Sequence, residues 1–286
     1  MPRLTIRDLE NLTGIKAHTI RMWEQRYQFL KPGRSETNIR YYCVDELMLL
    51  QDVALLNKAG FRISKINELK REELRRKVSR LEDAELQVEN LANEMTGAMV
   101  DLDMERFQDI IDDYSSKKGI EKTINELIYA FLIKSGLLWH SGHLHEASEQ
   151  LASHIIRQKL IVAIELTVPK AHEENTILLF LPEGDHHEIG LLFSYYILKS
   201  HGFDTIYLGD NVPLEDLRHI VEEKKPAQIF MHLINTGKPF RLDRFLQQLS
   251  TKLPSTRIII SGKPAHPPKA WPSNVRAINE VQELFS

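Results

Sequence analysis

Asp185-His186-His187-Glu188-Ile189-Gly190 sets three residue types at a spacing that can hold a metal: Asp185, His187 and Gly190. A histidine on a loop can offer one ring nitrogen to a metal ion while a carboxylate two residues earlier takes the proton of the other. A glycine three residues later lets a large group lie close to the backbone, because it has no Cβ. The alternative for the same residues is a surface loop with two solvated histidines. The elements that must position this loop are legible on both sides. Apolar runs over 176–181, 205–208, 228–234, 257–261 and 275–278 read as strands, and 187–201, 214–224 and 243–253 as helices between them. Such alternation implies a parallel, doubly wound sheet of flavodoxin-like order, in which ligands bind beyond the carboxyl ends of the strands where the order reverses. The loop over 183–190 follows the first strand and lies at that edge.

The amino-terminal third carries a different pattern. Ile6, Leu9 and Leu12 recur at helical spacing after Thr5, a natural N-cap, and Thr13-Gly14 makes a turn. A second, cationic helix runs from Lys16 to about Tyr27, and 38–42 forms a short ribbon. Asp45 reads as the cap of a further helix. Two short helices joined by a glycine-containing turn describe a helix-turn-helix. His18, Thr19 and Arg21 lie near the start of the second helix, where side chains reach base edges, and Arg26 lies near its end. Arg34, Arg40 and Tyr42 suit phosphate contacts, which add affinity without sequence information. Trp23 and Tyr27 either pack the small core or touch DNA.

Between these regions, 68–94 is rich in charge and reads as a solvated linker helix with Leu74, Val78, Leu81 and Leu86 on one stripe. Helical segments over 84–99, 103–116, 120–139 and 145–167 then read as a four-helix bundle.

The whole chain of 286 residues has a formal charge of −3, which excludes DNA binding through overall charge and leaves it to a local patch. Lys16, Arg21, Arg26, Lys31, Arg34 and Arg40 supply one. Cys43 is the sole cysteine, so neither a disulfide framework nor a thiolate metal cluster is available. A start without an apolar signal core, and apolar runs as short as 177–181, lead to the expectation of a cytoplasmic protein.

Leu12-Thr13-Gly14-Ile15, Thr19-Ile20-Arg21, Trp23-Glu24-Gln25-Arg26-Tyr27, Pro32, Arg34, Arg40-Tyr41-Tyr42 and Ala59-Gly60-Phe61 together resemble the winged-helix module of MerR-family transcription regulators. The tryptophan-glutamate pair is similar to the light- and cobalamin-responsive CarH/LitR branch. Asn38-Ile39 stands where that family usually has Gly-Tyr. The Asp185/His187/Gly190 loop and the segment 207–213 resemble the cobalt-ligating loop and second strand end of cobalamin-binding domains. The resemblance implies that His187 replaces the cofactor's own lower base on cobalt. It also implies a helical cap over the corrin's upper face, carried by Trp139 and, after nine residues, Glu149. Gln150 stands where the pattern has histidine, and His140 resembles the residue that takes the upper cobalt position after photolysis. The family has a serine on the third strand and Gly-Gly after the fourth, so that the cofactor's nucleotide tail slides between strands. Here those positions read Met231-His232-Leu233 and Ile260-Ser261-Gly262. Ser261 and Gly262 permit close approach, whereas His232 either bonds the tail base or partly fills the slot.

The resulting expectation is an α + α/β protein. Residues 1–75 form a winged helix-turn-helix DNA-binding domain, 76–172 a helical bundle capping cobalamin, and 173–286 a flavodoxin-like, Rossmann-type cobalamin-binding domain. The expected function is a DNA-binding regulator, a repressor and not an enzyme. Its assembly on operator DNA, as a homodimer or higher homo-oligomer, is controlled by adenosyl- or methylcobalamin, with light as a candidate signal. The alternative is a regulator of the same fold that has lost the cofactor and is switched by a protein partner or another ligand. A corrinoid methyl-transfer module is disfavoured, since a carrier needs no DNA-reading helix.

Overall fold

The computed structural model describes residues 4–27, 30–34, 38–140, 146–168, 173–234, 241–262, 268 and 270–285. Its contacts divide the chain into two compact units, Met1–Ile155 and Ile156–Ser286.

In the first unit, Thr5 caps α1 (Ile6–Thr13) in a reciprocal box: its amide donates to the Asp8 carboxylate at 2.7 Å, and Asp8's amide donates back to the Thr5 hydroxyl. Gly14 ends the helix with φ of +72°, a conformation only glycine takes without strain. The second helix, α2 (Ala17–Arg26), has no cap of its own. Instead Glu10 accepts from the Ala17 amide at 3.1 Å and pairs with Lys16 at 3.2 Å, so α1 closes the end of α2. The wing is the antiparallel pair β1 (Gly33–Arg34) and β2 (Arg40–Tyr41). Asn38, two residues before β2, is left-handed with φ of +61°, and Arg34 Nη1 donates to its side-chain oxygen at 2.6 Å. Asparagine is among the few side chains that tolerate this region, which is how Asn38-Ile39 stands in for a glycine-led turn.

Two expectations fail here. Asp45 does not cap α3 (Val44–Lys58); Cys43 holds the cap position. Glu46, one turn in, accepts from the Cys43 amide at 2.8 Å and the Lys31 amide at 2.9 Å. Nor is the charged stretch after residue 68 a solvated linker. After α4 (Ile63–Ile66), α5 (Arg71–Val78) buries Leu74 and Val78 in one apolar cluster with Val53, Leu55, Leu56 and Ile66. The stripe of Leu74 and Val78 read from the sequence is present, but it is buried in a core and does not lie on a solvated helix.

The bundle helices follow: α6 (Ala84–Val100), α7 (Met104–Lys118), α8 (Ile120–Lys122) and α9 (Tyr129–His140), with α6 packed on α7 and α9. A π-helical stretch, Thr123–Ile128, joins α8 to α9 and was not legible in sequence. The fourth helix, α10 (Glu146–Leu166), buries Ala152, Ile156, Leu160 and Ala163 at helical spacing. The division between the units falls within it.

The second unit is a five-stranded, all-parallel sheet. Its strands are β3 (Glu173–Pro182), β4 (Phe203–Val212), β5 (Gln228–Leu233), β6 (Arg257–Gly262) and β7 (Val275–Ala277), in the spatial order β4-β3-β5-β6-β7. That is the flavodoxin-like order. Ile177 to Leu181 are all at 0 % exposure, as a strand covered on both faces requires. The helices α11 (Glu188–Ser200), α12 (Leu214–Lys224) and α13 (Leu242–Lys252) alternate with the strands. The order reverses at β3, so its carboxyl end, and the loop after it, mark the crevice.

Candidate cobalamin site and DNA-reading surface

Asp185 organises the loop after β3. Its Oδ1 accepts from the His187 amide at 3.0 Å and from His187 Nδ1 at 2.8 Å. With Nδ1–H committed to the carboxylate, the lone pair of the neutral ring lies on Nε2, the nitrogen a metal would take. Burial works to raise the Asp185 carboxyl, but the bonds from the His187 ring and amide outweigh it and hold it below the usual carboxylate range. It therefore remains an anion and a firm acceptor at neutral pH.

The carboxyl end of β4 clamps this loop. Asn211, at φ of +54°, donates its amide to the Asp185 carbonyl at 3.1 Å, and its side-chain oxygen accepts from the Gly184 amide at 2.9 Å. Asp210 takes His186 Nδ1 at 2.7 Å. Behind the loop, Glu188 accepts the Tyr207 hydroxyl at 2.7 Å and pairs with Arg157 at 2.7 Å. Burial, then the Glu188 charge, push the Tyr207 phenol upward, so it stays protonated and donates. Its ring stacks on Tyr195 at 4.9 Å between centroids. The segment 207–213 had been legible as a unit. Asn211, Asp210, Glu188, Tyr207 and Arg157 had not been singled out, because their roles depend on two strand ends meeting.

Below the loop lies His232 on β5, opposite Ser261 on β6. Its Nδ1 lies 2.8 Å from the Ser261 hydroxyl. A Cβ on Gly190 would overlap Cδ2 of the His232 ring and come within 2.6 Å of its Nε2. A Cβ on Gly262 would lie 3.3 Å from Cε1 of the same ring and would overlap the Leu233 carbonyl oxygen. Burial drives the His232 pKa down to about 4, against the pull of Asp185, so the ring is neutral at ordinary pH. Asp185, His187, Gly190, His232, Ser261 and Gly262 thus belong to one unit and one strand-end cluster. The donor set suits a corrinoid cobalt at His187, and the cradle formed by the two glycines is filled by the chain's own imidazole.

Of the expected upper-face residues, Trp139 and His140 end α9, and their side chains lie outside the described residues. Glu149 is partly buried and Gln150 exposed on the part of α10 within the first unit.

On α2, His18, Arg21 and Arg26 are exposed and Thr19 is half-buried. Arg26 lies over the Tyr27 ring at 5.5 Å. Trp23 packs against both apolar clusters to which α3 contributes. Arg34 is exposed on the wing. Two wing residues behave otherwise than expected. Tyr42 is at 0 % exposure and donates its hydroxyl to Glu24 at 3.2 Å, which removes it as a phosphate contact. Arg40 Nε donates to the other Glu24 oxygen at 3.0 Å, so it braces the wing against α2. Each lies beside an acidic side chain that sequence spacing does not bring near.

A cationic helix-turn-helix joined to a helical bundle and a strand-end histidine loop defines a class, and the comparisons agree. Residues 4–73 match the family described as MerR HTH family regulatory protein, and residues 91–163 match the B12 binding domain, a stretch that here runs from the middle of α6 through most of α10. The chain is a DNA-binding transcriptional regulator that joins a MerR-type helix-turn-helix to a B12-binding domain. It is homologous to two repressors of Myxococcus xanthus. It is 28 % identical to the HTH-type transcriptional repressor CarH over 249 residues, covering 85 % of this chain and 83 % of that one. It is also 28 % identical to the HTH-type transcriptional repressor CarA over 262 residues, covering 91 % and 86 %. The monomethylamine corrinoid protein of Methanosarcina barkeri shares the fold, with a TM-score of 0.54 at 15 % identity over 68 % of this chain and 94 % of that one. Among the described residues, no helix is long and apolar enough to cross a membrane.

Proposed function

We propose that this chain is a repressor, not an enzyme, whose assembly on operator DNA is set by adenosyl- or methylcobalamin. In this reading residues 1–75 read DNA, 76–172 form the cap and 173–286 bind the cofactor. The observation that carries it is His187, whose Nδ1 is held at 2.8 Å by a carboxylate that stays ionised, on the loop where the strand order reverses. The CarH and CarA homologues, both named as repressors, support the regulatory part. When bound, cobalamin supplies a cobalt–carbon bond that light can break. His187 would hold the cobalt through Nε2, Asp185 would orient the ring, and Asn211 would keep the loop in place. Trp139, His140 and Glu149 remain the candidate cofactor residues of the helical part. On DNA, His18, Thr19 and Arg21 would read bases, and Arg34 would hold phosphate. The cofactor can change repression only if it binds two assembly states of the protein unequally, and a homodimer on a pseudo-palindrome gives such states.

A titration of the full chain with adenosylcobalamin, followed by visible absorbance, tests this. Wild type is expected to give a histidine-ligated spectrum that His187→Ala lacks while keeping the same fold by circular dichroism. Identical spectra from both proteins would remove His187 as the ligand. A second reading, a regulator of the same fold switched by a protein partner or another ligand, is favoured by the His232 ring packed on Gly190. It would be upheld if calorimetry with adenosyl-, methyl- and hydroxocobalamin gave no heat.

A further inference from the structure

We infer that His232 is a gate over the slot that the cofactor's displaced lower nucleotide must enter, so that this chain discriminates among corrinoids by that nucleotide. The inference rests on the cobalamin reading above. Its chemistry is simple. If His187 takes the lower face of the cobalt, the base that the complete cofactor carries there must leave the metal. It remains tethered to the corrin rim, so it needs room beyond the loop. In a parallel sheet of this order, room of that kind lies past the carboxyl ends of the central strands. Here that place is bounded by Gly190 at the start of α11, Gly262 at the end of β6, and His232 between them.

Each glycine has a reason that involves no ligand. At Gly190 the missing Cβ is replaced by the His232 ring, whose Nε2 would lie 2.6 Å from it. At Gly262 a Cβ would overlap the Leu233 carbonyl oxygen, and φ is +90°. His232 and Ser261 face each other in register on β5 and β6, and the 2.8 Å contact between ring and hydroxyl fixes the imidazole across the gap. The ring is neutral, so no buried charge pins it there. One hydrogen bond between neutral groups is a modest restraint against rotation. His232 is therefore a movable obstacle: entry of a nucleotide requires the ring to leave Ser261, and a corrinoid without a nucleotide requires no such step.

The test measures dissociation constants of the full chain for hydroxocobalamin, which carries the nucleotide, and for aquocobinamide, which lacks it. Wild type, His232→Ser and Ser261→Ala are compared. The expected result is a shift of the cobalamin-to-cobinamide affinity ratio toward cobalamin, by about tenfold or more in His232→Ser. Ser261→Ala is expected to shift it less, in the same direction, and carries the test if His232→Ser melts early. An unchanged ratio in both variants overturns the gate while leaving the cobalamin reading standing. An equal gain for both corrinoids also overturns it, since His232 would then act through the His187 loop. Binding of neither corrinoid to any of the three proteins overturns the cobalamin reading itself, and the gate with it.

Discussion

Asp185 does two jobs with one oxygen, setting the His187 tautomer and closing the turn through the His187 amide. Removing it should loosen both the hold on the His187 ring and the turn of the loop. Asp185→Ala is expected to weaken cobalamin binding by about ten- to a hundredfold, read by the same absorbance titration. No change would mean that the loop holds the ring without its carboxylate. On the DNA side, two arginines that look alike in sequence should behave differently. Arg21 is exposed near the start of α2, and Arg21→Ala is expected to lose roughly 1–3 kcal/mol of discrimination between operator and unrelated duplex. Arg40 is engaged with Glu24, so Arg40→Ala should lower stability by about 1 kcal/mol and weaken all duplexes alike through a loosened wing. If Arg40→Ala instead keeps full stability and flattens the salt dependence of binding by about one unit, the side chain is a phosphate ligand after all.

Among the elements, α5 is the one whose role changed most between sequence and structure. Its eight residues, Arg71 to Val78, include only two apolar side chains, Leu74 and Val78, yet each is 3 % exposed. They complete the apolar cluster that α3 forms with Ile66 of α4. Leu74→Ala should therefore cost about 2–4 kcal/mol, as a cavity in a core does, measured by urea unfolding of the full chain. A loss below about 0.5 kcal/mol would return α5 to the status of a surface linker. The same logic explains the clamp from β4. Its last residue, Val212, pairs with Pro182 at the end of β3, and Asn211 beside it uses backbone and side chain together to hold the loop that follows β3.

At the scale of the whole molecule, one buried group in each unit should contribute to the acid response in opposite directions. In the second unit, His232 titrates near 6.5 when unfolded and near 4 when folded. Between those values the unfolded state holds more protons, so stability is complete above about pH 6.5 and declines as pH falls toward 4. In the first unit, burial raises Asp52 from 3.8 to about 6, with Arg75 opposing and Glu94 adding. There the folded state holds more protons over that range, so its contribution rises as pH falls. Hydrogen exchange read unit by unit at pH 7, 6 and 5 is expected to show β5 and β6 opening more readily and α3 less so. His232→Gln and Asp52→Asn should each flatten the response of their own unit. A common direction in both units would refute the assignment.

Much of this protein was legible before any coordinates. The alternation of apolar runs specified five parallel strands in order, because strands buried on both faces must read as continuous apolar segments. Helix starts and stops followed from Thr5, Asp103, Gly14 and Gly119, whose effects are local to one turn. The Asp185/His187 pair was legible for the same reason: its members are two residues apart, and their hydrogen bonds form within one loop. What sequence order could not supply were contacts between residues far apart in it. Glu24 meets Arg40 and Tyr42, Asn211 meets Gly184 and Asp185, and His232 meets Gly190 and Ser261 only after helices and strands have packed. Spacing along a chain determines which faces are apolar and where a loop can bind. Which side chain then fills the space beside a glycine is decided by the neighbouring strand, and only tertiary packing brings that strand into place.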